Sequence, residues 1–61
     1  MRIGNVEKEL LKKALLDGRL TGMARARRAE RDALERLQSK GLMHEAGGIW
    51  FPTGAAQELM S

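Results

Sequence analysis

The chain lacks cysteine and tyrosine, and it has one histidine, one tryptophan and one phenylalanine. Without cysteine there is neither a disulfide framework nor a thiolate metal ligand. His44 alone cannot form the usual zinc-binding set, so we expect no metal. There is also no nucleophile elbow, phosphate-binding loop or pair of catalytic carboxylates. We therefore expect neither an enzyme nor a cofactor.

Long apolar runs are absent as well, and none approaches the roughly 18 residues of a membrane span. The first residues lead into charged ones rather than into an apolar segment. No repeat, low-complexity tract or linker divides residues 1–61. We expect one small domain without a membrane segment, in the reducing cytoplasm, which at this size buries only about 60% of the surface of its unfolded chain.

Acidic residues are missing from one stretch of an otherwise mixed sequence. The formal net charge is +3, but residues 19–29 contain four arginines and no acid. The planar guanidinium group suits phosphate oxygens and guanine edges better than the lysine ammonium does. This distribution favours contact with nucleic acid, and the alternative is a solvated helix face. The four residues are Arg19, Arg25, Arg27 and Arg28.

Apolar residues at helical spacing predict a first helix over residues 5–16. We expect Asn5 to cap it, and the acidic Glu7 and Glu9 favour its positive end. Asp17 and Gly18 should end it. The stripe expected to face the core consists of Val6, Leu10, Leu11, Ala14 and Leu15.

Two interpretations of residues 21–39 remain open. A single helix capped by Thr21 would project Glu30 into its own apolar face, where an unpaired carboxylate is costly. A break near residues 27–29 would instead place Glu30 in the first turn of a second helix, where an acid suits the helix dipole. We favour the break, with helices over residues 21–26 and 29–40, although Arg27 could also bridge Glu30 without one.

The last third of the chain predicts a helix end, a hairpin and a helix. Lys40 lies in the last helical turn and Gly41 supplies a left-handed cap. Ala-Gly-Gly at residues 46–48 favours a turn between two short strands, and Pro52 should stop the second strand. Thr53 can then cap a helix over residues 54–60.

Trp50 and Phe51 are adjacent in the second strand and therefore lie on opposite faces. We expect one of them to complete the core and the other to lie across a neighbouring helix. The functional alternative is that one is the contact for a protein partner or for a homodimer.

Residues 34–60, LERLQSKGLMHEAGGIWFPTGAAQELM, resemble the second half of bacterial winged-helix regulators such as the MarR and PadR groups. In those groups a recognition helix ends in a KGL cap, and a glycine-containing wing and an LT…G segment follow. The matching residues are Leu34, Leu37, Lys40, Gly41, Leu42, Ala46, Gly47, Gly48, Phe51, Thr53 and Gly54.

The resemblance implies a mostly helical α+β fold, a compact winged helix. It would have two or three N-terminal helices, a two-stranded β-hairpin wing and a short C-terminal helix. It also implies a helix-turn-helix type of double-stranded DNA binding by a bacterial, phage or plasmid transcription regulator. The helix beginning near Ala29 would lie in the major groove.

Within that implied interface, Arg28 and Arg31 are the principal candidates for contact with bases, together with Arg27. Arg19, Arg25 and Lys40 would position the protein on phosphates. Because the wing tip is uncharged and follows Glu45, we expect the arginines rather than the wing to hold DNA. The alternative function is an adaptor that binds a protein through the acidic outer side of the recognition helix and one wing aromatic.

Overall fold

Three α-helices, one 3₁₀ turn and a β-hairpin form the fold in the computed structural model, which describes residues 2–61. The elements in chain order are α1 (Asn5–Asp17), a 3₁₀ turn (Met23–Arg25), α2 (Arg28–Ser39), β1 (Met43–Ala46), β2 (Ile49–Pro52) and α3 (Gly54–Met60). The predicted fold class, mostly helical α+β with a hairpin and a short last helix, is confirmed.

The start of α1 is capped by Glu7 and not by Asn5. Gly4 occupies the N-cap position, and its backbone N–H donates to Glu7 Oε2 at 3.3 Å. Asn5 is already the first helical residue, so the prediction that its side chain caps the helix is wrong. The other end agrees with the prediction, since Gly18 leaves the helix with a φ of +86°.

No continuous helix spans residues 21–39, in agreement with the prediction from the position of Glu30. Arg27 is extended, α2 begins at Arg28, and Glu30 Oε1 accepts a hydrogen bond from the Arg27 backbone N–H at 3.2 Å. The first piece differs from the prediction, because a 3₁₀ turn replaces the helix over residues 21–26. Gly22 has a φ of +70° and Ala26 is extended, so only one turn fits between them.

The hairpin has the predicted turn. Ala46 pairs with Ile49 and Met43 with Pro52, which leaves Gly47 and Gly48 as a two-residue loop. Both glycines are left-handed, with φ of +58° and +83°, as a type I′ turn requires.

Side-chain hydrogen bonds support both ends of the hairpin. At its tip, Glu45 Oε2 accepts from the Gly48 backbone N–H at 2.7 Å, so the acid that precedes the loop stabilises it. At its base, Thr53 Oγ1 caps α3 by accepting from the Ala56 N–H at 3.3 Å, as predicted. The same hydroxyl donates to the Gly41 carbonyl oxygen at 2.7 Å and so ties α3 to the end of α2.

A single residue after α1 extends the sheet beyond the hairpin. Leu20 forms an antiparallel bridge with Trp50, with N–H to O distances of 2.8 and 2.9 Å in the two directions. The sequence did not predict this bridge, because one paired residue leaves no alternating pattern. It fixes the basic connection between α1 and α2 against β2.

Leucine and alanine side chains from all three helices fill the core, together with Leu20, Leu42 and Met43. The face of α1 that packs inward is displaced from the prediction. Val6 is 44% exposed, whereas its neighbour Glu7 is 4% exposed. This burial of a carboxylate is possible because two cations from the end of α2 reach it.

Candidate nucleic-acid interface

Five arginines lie exposed along the connection from α1 to α2 and on the first turns of α2. In the part of the chain that the structure describes, none of them has a carboxylate oxygen within 4.0 Å. Their charges are therefore free to meet an anion from outside. They are Arg19, Arg25, Arg27, Arg28 and Arg31.

The N-terminus of α2 adds backbone donors to this basic segment. The first N–H groups of a helix have no partner within the helix, and the helix dipole makes this end positive. Glu30 satisfies only the Arg27 N–H. Arg27 at the cap and Arg28 in the first turn place like charge at a positive end, an arrangement that an external phosphate would stabilise.

The outer face of α2 changes sign along its length. At about 100° per residue, Arg28, Asp32 and Glu35 lie on the side opposite the buried Leu34 and Leu37. Arg31 flanks this row near the N-terminal end. Only the N-terminal half of the helix is therefore attractive to a phosphate backbone, while the middle would repel it.

Lys40, which the sequence assigned to phosphate contact, is bound within the fold. Its Nζ lies 2.7 Å from Glu7 Oε2 and donates to the Arg2 carbonyl oxygen at 2.9 Å. The Lys40 hydrogen bond lowers the pKa of Glu7 against the opposing effect of burial, aided by the Gly4 N–H and the charges of Lys40 and Arg36. We therefore leave Lys40 out of the candidate interface.

The two aromatics separate as the strand geometry predicted. Trp50 is half-buried and packs against the core cluster, which confirms the prediction that one aromatic completes the core. Phe51 lies on the other face, where its ring centroid is 5.9 Å from that of the cross-strand residue His44. The two rings are tilted by 31° to each other, so Phe51 packs beside an exposed side chain of the hairpin.

Other kinds of site find no support in residues 2–61. In that part of the chain no three His, Asp or Glu side chains are grouped to hold a metal ion. The same residues contain no helix that is long and apolar enough to span a membrane. No protein-family model, curated protein or solved structure gives a significant match to the chain.

Proposed function

We propose that this chain is a winged-helix protein that binds double-stranded DNA without catalysis and regulates transcription by occupying its site. One observation carries the proposal. Five exposed arginines without a carboxylate partner in residues 2–61 lie along the connection from α1 to α2 and on the first turns of α2. The order of helix, hairpin and helix that follows agrees with what the family resemblance implies.

The charge pattern of α2 favours entry of its N-terminal half into the major groove. Arg28 and Arg31 would then reach guanine O6 and N7 or the flanking phosphates. Glu35, further along the outer face, would be repelled by phosphates if the helix lay flat, so the helix must tilt. Arg19 and Arg25 would bind phosphates beside the groove and supply salt-dependent affinity.

Titration of a mixed-sequence duplex at low ionic strength tests the proposal. We expect binding that weakens steeply with salt, and its loss in Arg28→Glu with Arg31→Glu. The helix dipole favours acids near the N-terminus of α2, but the new acids lie four residues before Asp32 and Glu35, so circular dichroism must show that the variant is folded. The charge-matched control is Arg2→Glu with Lys8→Glu, which changes two other exposed cations.

The result that contradicts DNA binding is an absence of complex formation even at low salt. Equal weakening by the control pair would contradict the assignment of the interface to Arg28 and Arg31, because only the overall charge would then matter. One observation favours the adaptor alternative: Asp32 and Glu35 have no ion-pair partner within residues 2–61. If the chain is an adaptor, reversing the charges of Arg28 and Arg31 should leave its complex with a protein partner intact.

A further inference from the structure

One face of α1 remains exposed after the other has packed into the core. This outer face carries Leu16, which is 86% exposed, and Val6, which is 44% exposed. It forms one wall of an open groove whose other side is the segment from Arg19 to Ala26 together with Met60. The two apolar side chains lie ten residues apart, about 15 Å along the helix, with Glu9 and Lys13 between them on the same face.

The charged residues of the same face carry no internal partner. Glu9, Lys12, Lys13 and Asp17 are exposed and line the groove. None of the four has an ion-pair partner among residues 2–61. The face therefore presents unpaired acids and bases beside exposed apolar side chains.

The order of these residues is self-complementary in the antiparallel direction. If two copies of α1 pair in antiparallel orientation about a two-fold axis level with Leu11, residues along the middle of the outer face meet the partner's residues at the same distance on the other side of the axis. Glu9 then faces Lys13 of the partner subunit, and Val6 faces Leu16 of the partner subunit.

We infer that α1 pairs with α1 of a second copy in an antiparallel homodimer, joined by reciprocal Glu9–Lys13 contacts and Val6–Leu16 packing. A two-fold interface requires a patch that is complementary to itself, and the outer face of α1 meets this requirement because it carries both acids and bases. A uniformly charged ligand would be repelled by half of the charged residues on this face. The inference does not depend on DNA binding.

The dimer should be weak. A helix of 13 residues is about 20 Å long, and with its neighbours it covers less than the roughly 800 Å² per partner of a standard interface. We therefore expect self-association that depends on concentration and is favoured by low ionic strength.

Sedimentation equilibrium of the full chain and of charge-reversed variants tests the pairing. The weight-average mass of the unmodified chain should rise from 6.8 kDa toward twice that value. Glu9→Lys alone and Lys13→Glu alone should each weaken association about tenfold or more, because both symmetric contacts become repulsive. An equimolar mixture of the two variants should associate again, since each Lys then faces a Glu.

The matched controls are Glu58→Lys and Lys8→Glu, which alter exposed charges away from the groove and should leave association unchanged. Circular dichroism establishes that every variant is folded. A mass that stays at 6.8 kDa up to about 1 mM, the scale of very weak complexes, would overturn the inference and leave the groove to a different partner or to solvent. Association that is indifferent to the reversals, or a mixture that fails to associate, would overturn it equally.

Discussion

Removal of the Lys40 ammonium group should destabilise the fold strongly at neutral pH. Glu7 is 4% exposed, and its carboxylate accepts hydrogen bonds from two donors and lies near one further cation. Lys40 Nζ is the nearest, at 2.7 Å, followed by the Gly4 N–H at 3.3 Å and Arg36 at 3.8 Å. The Arg36 side chain is 62% exposed, so it cannot replace Lys40 as a buried partner.

The magnitude follows from the cost of leaving a buried charge without its principal partner. Such a loss is typically about 3–5 kcal/mol for a fully buried pair. The Lys40 side chain is 28% exposed, so water replaces it in part and we expect about 2–3 kcal/mol for Lys40→Met. A chain of this length has a free energy of unfolding of roughly 3–9 kcal/mol, and the melting temperature should fall by about 10–20 °C.

The pH dependence distinguishes this mechanism from a simple loss of packing. The pKa of Glu7 is lowered on folding, chiefly by its hydrogen bond with Lys40, from an ordinary value of 4.5. The ionised carboxylate therefore stabilises the protein above that value, and the stabilisation is lost as the pH falls through the lower, folded pKa. Without Lys40 the principal stabilisation of the ionised carboxylate is lost, and a protonated Glu7 does not need it, so acid should relieve the defect of the variant.

Urea unfolding followed by the fluorescence of Trp50 measures both effects, because Trp50 is the single tryptophan and packs against the core. The difference in unfolding free energy between the two proteins should shrink from pH 7 to about pH 3. Lys8→Met, at an exposed lysine with no ion-pair partner in residues 2–61, is the control. An equal cost for Lys8→Met, or a cost for Lys40→Met that does not vary with pH, would refute the reasoning. Glu7→Gln added to Lys40→Met should recover stability at pH 7, since no buried charge remains.

Two further substitutions test local features by the same urea assay. Thr53→Val keeps the shape of the side chain but removes both the helix cap and the bond to the Gly41 carbonyl, so we expect a loss of about 1–2 kcal/mol; a loss no larger than that from Ser61→Ala, at the exposed end, would contradict it. Gly48→Ala should cost about 1–2 kcal/mol, because its φ is +83° although open space surrounds the position. Gly54→Ala, in open space without a positive φ, should cost nothing, and equal effects at the two glycines would refute the conformational explanation.

Features that depend on neighbours in sequence could be predicted, because their physical causes are local. The break before α2 followed from Glu30, whose carboxylate is better placed in a first turn than on a buried face. The hairpin followed from two adjacent glycines between short β-forming runs. The cap of α3 followed from Thr53 in the same way. Each of these arguments concerns residues within one short stretch of the sequence.

Features that bring distant residues together could not be predicted from such patterns. The Leu20–Trp50 bridge joins positions 30 residues apart, and the Glu7–Lys40 pair joins positions 33 residues apart. The Glu7–Lys40 pair is the reason that Glu7 is buried in place of Val6, which we had expected in the core. A buried carboxylate is unfavourable until its partner is known, and nothing near Glu7 in sequence identifies Lys40.

Contacts between residues that are distant in sequence also decide which residues remain candidates for DNA contact. No acidic residue lies three or four positions from Lys40 in the sequence, yet the distant Glu7 binds Lys40 in the fold. Folding could have paired the arginines of residues 19–31 with acids in the same way, since Glu9 and Asp17 line the groove beside Arg19 and Arg25. Within residues 2–61 no carboxylate comes within 4.0 Å of them. The basic segment thus stays unneutralised through folding, and this is the property that binding to a polyanion requires.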